Sequence, residues 1–77
     1  IVSLSPREFD LLAYFMQRPR QVLRREQILR DVWGNHFDDR SGVLDVYIGY
    51  LRAKLEQGGE PRLIHTMRHV GYVLREP

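Results

Sequence analysis

Four large aliphatic residues, Leu44, Ile48, Leu51 and Leu55, recur at i, i+4, i+7 and i+11, and Gly58-Gly59 follows them at once. The spacing draws one narrow apolar strip along a helix, and the glycine pair ends that helix. Such a strip must lie against a core, and 77 residues can build only one. The pattern therefore predicts a single small domain over residues 1–77, organised around a long third helix at about 42–57. Everything else must be short enough to wrap it.

The flanking sequence supplies such elements. Ser5-Pro6-Arg7-Glu8 reads as a helix start, with Ser5 as the cap, Pro6 in the first turn and Glu8 completing a capping box. Phe9, Leu12, Ala13 and Met16 then recur at helical spacing, predicting an amphipathic first helix that stops near Pro19. Val22 and Leu23 form an extended link. A second helix begins around Arg25, with Ile28, Leu29, Val32 and Trp33 on its buried side and Gly34 as its terminator. The polar run from Asn35 to Gly42 is a loop, with Ser41 as a cap for the third helix. After that helix, Leu63 to Met67, a break at Arg68-His69 and Gly71 to Leu74 predict a hairpin, with Gly71 allowing the turn. Ile1 to Leu4 is the only further strand expected, so the sheet should be marginal.

The outward side of the third helix is unusual. Gly42, Val46, Gly49, Tyr50 and Ala53 face away from the leucine strip, with Val43 and Tyr47 beside it. A solvated helix face carries Glu, Lys and Gln instead, and each glycine costs roughly 1 kcal/mol against alanine. Small residues let a helix backbone sit deep in a DNA groove, where Val can touch a thymine methyl and Tyr can reach a phosphate or a base edge. The alternative is a second packing surface, covered by another segment or a sister subunit. On the hairpin, Thr66, Arg68 and His69 sit at or before the tip and Tyr72 returns from it. Arg52 and Lys54 flank the helix, where they would meet phosphates or simply be solvated. Trp33, at the end of the second helix, is either a packing anchor or an indole donor to a phosphate.

Charge sharpens the choice of partner. The formal charge is only +2, but residues 1–39 cancel, whereas residues 40–77 carry six basic side chains against Asp45, Glu56, Glu60 and Glu76. The second half should face any polyanion. Eleven of the twelve basic residues are Arg, which suits phosphate and guanine, although a GC-rich coding bias gives the same result. Enzyme chemistry finds little footing. His36, His65 and His69 lack metal-ligand spacing with carboxylates, Asp38-Asp39 read as a solvated loop, and no phosphate loop or nucleophile-base order stands out. No cofactor and no metal are expected. Cysteine is absent, which removes disulfides and thiolate ligands and suits a reducing cytoplasm. The sequence opens at Ile1 without an initiator Met, a charged leader or a bilayer-length apolar run, so it reads as a fragment with neither export nor membrane anchoring suggested. A protein-docking module using the same outward face is the rival reading. RNA binding lacks its aromatic platform.

Several stretches, in this order, resemble the OmpR/PhoB-type response regulators. Leu4-Ser5-Pro6-Arg7-Glu8-Phe9-Asp10-Leu11-Leu12 is similar to the family's entry to its first helix. Arg25-Glu26-Gln27-Ile28-Leu29 through Val32-Trp33-Gly34 is similar to its second. Leu44-Asp45-Val46-Tyr47-Ile48 with Leu51-Arg52-Ala53-Lys54-Leu55 resembles its recognition helix, and Thr66-Met67-Arg68-His69-Val70-Gly71-Tyr72 its wing. The resemblance implies an α+β winged helix-turn-helix, three helices followed by a C-terminal β-hairpin wing, with the N-terminal sheet largely missing from this chain.

It also implies a transcription factor that binds tandem half-sites of double-stranded DNA as a homodimer of the full-length protein, controlled by phosphorylation of an upstream receiver. The third helix would enter the major groove and the wing, about 66–72, the minor groove. Val43, Val46, Tyr47 and Tyr50 match base- or groove-facing positions, and Arg68 matches the minor-groove arginine. Trp33, Arg52, Thr66 and Tyr72 match backbone contacts, to which Arg40, Lys54 and His69 are added as neighbouring cations. The 34–41 loop matches a segment that touches RNA polymerase in some members. Gly42, Gly49 and Tyr50 stand where better-known members place arginines, a loss that Arg40 would partly offset, and His69 stands where the wing often has Gly.

Overall fold

The computed structural model describes residues 3–34 and 42–77. Helix α1 (Pro6–Met16) begins as the sequence predicts: the Ser5 hydroxyl accepts from the Glu8 N–H, and Glu8 Oε1 accepts from the Ser5 N–H at 2.7 Å. Glu8 is only 4% exposed, and a carboxylate so enclosed needs a counter-charge. Lys54 Nζ provides it at 2.6 Å. That bond, with the Ser5 N–H, holds the Glu8 carboxyl below its usual pKa against the opposing effect of burial.

The face that α1 buries differs from the expected one. Leu11, Tyr14 and Phe15 enter the core, whereas Phe9 and Met16 are each 62% exposed and Leu12 and Ala13 only half-buried. The helix carries two apolar stripes, and spacing alone does not say which meets the core. The second stripe borders open hollows, one of them about 390 Å³ and shared with Leu55, Leu63 and Leu74.

After α1 the chain reverses through Arg20, which adopts a left-handed φ of 63° and donates its N–H to the Leu74 carbonyl. Strand β1 (Leu23–Arg24) follows and leads straight into helix α2 (Arg25–Ile28), which widens into a π-helical turn over Leu29–Trp33 and stops at Gly34, φ 83°. Ile28 and Leu29 are buried, and Val32 and Trp33 pack at the core's edge. Helix α3 (Val43–Leu55) opens on Gly42, itself left-handed at φ 72° and contributing no side-chain cap; Ser41, the expected cap, lies outside the described residues. As its spacing predicts, α3 brings Leu44, Ile48 and Leu51 to full burial, with Leu55 at the margin.

Strands β2 (Ile64–Met67) and β3 (Gly71–Leu74) form the expected hairpin. Its third partner is β1, not Ile1 to Leu4: the sheet order is β1-β3-β2, all antiparallel, with Leu23 opposite Tyr72 and Arg24 opposite Gly71. Ser3 and Leu4 form no strand, and Ile1 and Val2 lie outside the described residues. The glycine of the hairpin also has a different task. The turn is closed by the Val70 N–H on the Met67 carbonyl, and its left-handed residue is His69, at φ 67°. Gly71 is needed because a Cβ there would lie 1.9 Å from the Leu23 carbonyl oxygen.

Candidate nucleic-acid interface

Helix α3 spans thirteen residues, about 20 Å at 1.5 Å per residue. Its leucine strip faces the core and leaves Val46 and Tyr50 outside, 47% and 51% exposed, with Gly49 and Ala53 exposed beside them. Val43 and Tyr47 flank this face and touch the core's edge. A Cβ built on Gly49 meets nothing within 4 Å, so crowding inside the described chain does not explain this glycine.

Three aromatic rings run outward from the core's edge. Trp33 meets Tyr47 edge-on with centroids 5.4 Å apart, and Tyr47 meets Tyr50 in the same manner at 5.5 Å. Arg7 lies 5.3 Å from the Trp33 ring and donates to the Val32 carbonyl. Trp33 therefore packs, and its packing makes Tyr47 and Tyr50 a supported ledge rather than two loose side chains.

On the wing, Thr66, Arg68 and His69 are exposed, and Arg68 has no acid partner among the described residues. Tyr72 is different, being 7% exposed with its hydroxyl donating to Asp45 in the first turn of α3. Burial and that bond push its pKa up to about 12. Asp45 also accepts from Arg25 Nη1 at 2.5 Å. Burial alone would raise the Asp45 pKa, but the bonds from Arg25 and Tyr72 outweigh it and hold the carboxyl low. The sequence does not link Arg25 to Asp45, because they stand 20 residues apart and share no local pattern.

The two cations flanking α3 turn inward. Arg52 donates Nε and Nη2 to the Ile64 carbonyl at 3.0 and 2.8 Å, and Nη2 also reaches Thr66 Oγ1 at 2.8 Å. Its guanidinium lies 5.6 Å from the Tyr72 ring, and burial lowers its pKa, with Arg62 adding to the effect. Lys54 bonds Glu8 and, at 2.9 Å, the Ser3 carbonyl. Arg40 and residues 35–41 of the expected polymerase-facing loop lie outside the described residues. Among those described, no group of three or more histidines and carboxylates gathers as a metal site requires, and no helix is long and apolar enough to cross a membrane.

This arrangement presents one small, ledge-like helix face with an arginine-tipped hairpin mounted on the same helix. Residues 1–74 match the family model described as transcriptional regulatory protein, C terminal. The chain belongs to that family. The response regulator MprA of Mycobacterium sp. (strain KMS) is 57% identical over 75 residues, which are 97% of this chain and 33% of MprA. The chain thus spans about a third of the length of the curated relatives it matches. The DNA-binding domain of E. coli CadC superposes with a TM-score of 0.87 at 32% identity, covering 99% of this chain and 72% of that one. The DNA-binding domain of Klebsiella pneumoniae RstA, solved in complex with the RstA box, gives 0.82 at 33%, covering 96% and 74%. The fold is the winged helix of OmpR/PhoB-type response-regulator output domains, as the resemblance implied. In this output domain α3 follows α2 and its π-helical turn, and β2 and β3 form the wing.

Proposed function

We propose that this output domain reads double-stranded DNA by sequence, with α3 in the major groove and the wing, about 66–72, in the minor groove. It thereby regulates transcription as the non-enzymatic part of a cytoplasmic two-component response regulator. The observation that carries this reading is the outward face of α3. Two exposed apolar residues and a glycine that nothing among the described residues crowds lie on that face, and the wing carries an exposed Arg68 with no acid partner among the described residues. Close approach to a base-pair edge accounts for the glycine, and the wing supplies the cation.

Val43, Val46, Tyr47 and Tyr50 face base edges in this reading, and Arg68 enters the minor groove. Thr66 and His69 meet the sugar-phosphate backbone with Arg40, and Trp33 backs the ledge at its margin. Arg52, Lys54 and Tyr72 act from behind, since Arg52 Nε and Nη2, Lys54 Nζ and the Tyr72 hydroxyl are bonded within the protein. Dimerisation of the full-length protein on tandem half-sites, and contact of RNA polymerase with the 34–41 loop, complete the proposal.

The test is selection of bound duplexes from a random pool at two salt concentrations. A short enriched motif, lost at high salt, supports a specific reader, because releasing counterions makes phosphate-led binding fall steeply with salt. An absence of both enrichment and salt response overturns the reading in favour of a protein-docking face. With an enriched duplex in hand, Arg68→Ala should weaken binding by roughly 1–3 kcal/mol and reduce the salt slope by about one. An unchanged slope would remove Arg68 from the interface.

A further inference from the structure

The wing is fastened to α3 at two points. Asp45 and Arg52 are seven residues apart, two turns along one side of the helix. Asp45 accepts a hydrogen bond from the Tyr72 hydroxyl on β3, and Arg52 grips β2 at the Ile64 carbonyl and the Thr66 hydroxyl. The two grips converge, because Thr66 and Tyr72 are directly paired across the hairpin and the Arg52 guanidinium lies near the Tyr72 ring. Arg25 completes the first grip from α2, so Asp45 ties three elements together.

Asp45 is also out of place on a helix meant for DNA. Its side chain is about half exposed, on the helix that should approach a polyanion, where a bare carboxylate would repel phosphate. Arg25 neutralises it, and Tyr72 gives it a use. We infer that Asp45 is a positioning residue: through Tyr72, and together with Arg52, it sets the wing at one angle to α3. Arg68 and the outward face of α3 then engage the same duplex at once. This rests on the DNA reading above and assigns that interface its internal alignment.

A positioning role differs from a merely stabilising one in how substitutions combine. If Asp45 aligns the wing, removing the alignment and removing the wing's arginine damage the same contact, and the losses do not add. The experiment uses the selected duplex and the chain with Asp45→Ala, Tyr72→Phe and Arg68→Ala, singly and in pairs. Affinity and salt slope are measured at a temperature where circular dichroism shows each variant folded. We expect Arg68→Ala to weaken binding about tenfold in the unsubstituted chain and less than about twofold in the D45A background. Tyr72→Phe removes only the hydroxyl; it should reproduce D45A, and the D45A/Y72F pair should be no worse than either alone. Sequence preference at the positions read by α3 should survive in all of them. If D45A does not fold, Y72F carries the cycle with R68A by the same criterion. Additive losses, with Arg68→Ala still costing about tenfold beside D45A or Y72F, overturn the positioning role and leave the DNA reading intact. Failure of the unsubstituted chain to bind any duplex removes the DNA reading itself and this inference with it.

Discussion

In the proposed reading the wing and the outward face of α3 serve one interface, yet they are built under opposite constraints. The base of the wing is crowded, unlike its exposed tip: Gly71 lies against the β1 backbone, Tyr72 is buried, and Arg52 and Asp45 grip the hairpin from below. The helix face is open, with free space where a Gly49 Cβ would stand among the described residues and Tyr50 half exposed against the Tyr47 ring. Substitutions in the first region should therefore cost folding, and those in the second should cost recognition alone. A surface can share one function and still divide between residues that hold the shape and residues that use it.

The strongest challenge to this contrast is Gly71→Ala. A methyl group 1.9 Å from the Leu23 carbonyl cannot be absorbed by a side-chain shift, because the obstacle is backbone. Separating β1 from β3 should cost at least about 3 kcal/mol. Urea unfolding with an unchanged midpoint would show that β1 does not hold the wing.

Next in size comes acid. Glu8, Asp31 and Asp45 all have carboxyls held below their ordinary pKa values, Glu8 chiefly by Lys54, Asp31 by Tyr14 and Asp45 by Arg25 and Tyr72. A depressed folded-state pKa contributes stability that is present above the unfolded value, about 4, and is lost as pH falls through the folded one. Melting temperature should stay level from neutrality to about pH 5 and decline below it. Glu8→Gln should make that decline shallower; an identical acid limb in E8Q would place the sensitivity elsewhere.

Gly49→Ala is a smaller change that sharpens the contrast from the other side. With open space around the Cβ, alanine should raise stability by up to about 1 kcal/mol through helix propensity. If the helix backbone approaches DNA closely, the same methyl should weaken binding to the selected duplex. A gain in stability with unaltered affinity would show that Gly49 faces solvent in the complex.

The smallest expected effect is His69→Gly. His69 occupies the left-handed region that glycine enters without strain. Relief of that strain should stabilise the chain by about 0.5 kcal/mol after glycine's larger unfolded-state entropy is counted. A lower melting temperature would mean that the imidazole contributes contacts outweighing its backbone strain.

What the sequence discloses follows the range of the interactions. The Ser5–Glu8 capping box, the Leu44–Ile48–Leu51 strip and the hairpin are written in residues a few positions apart, where helical and extended periods apply, and they stand as expected. The face that α1 buries is not legible from spacing, because Phe9 with Met16 and Leu11 with Phe15 both lie at helical intervals, and the positions of α3, the π-helical turn and β3 decide between the stripes. The extended link at Val22 and Leu23 is legible, but its pairing as strand β1 is not, since two residues carry no detectable alternation. The outward residues of α3 were legible from the wheel. The inward turn of Arg52 and Lys54 was not, because Ile64, Thr66, Ser3 and Glu8 are distant in the chain.

The two-residue strand β1 has a kinetic meaning as well. The hairpin of β2 and β3 can zip from its own turn, and α3 can wind from local contacts, both at short sequence separation. Joining Leu23 to Tyr72 and Arg24 to Gly71 requires the two halves of the chain to meet, with the loop-closure entropy that this entails. The third strand is therefore expected to pair late in folding, after the helices have formed and before the wing is seated.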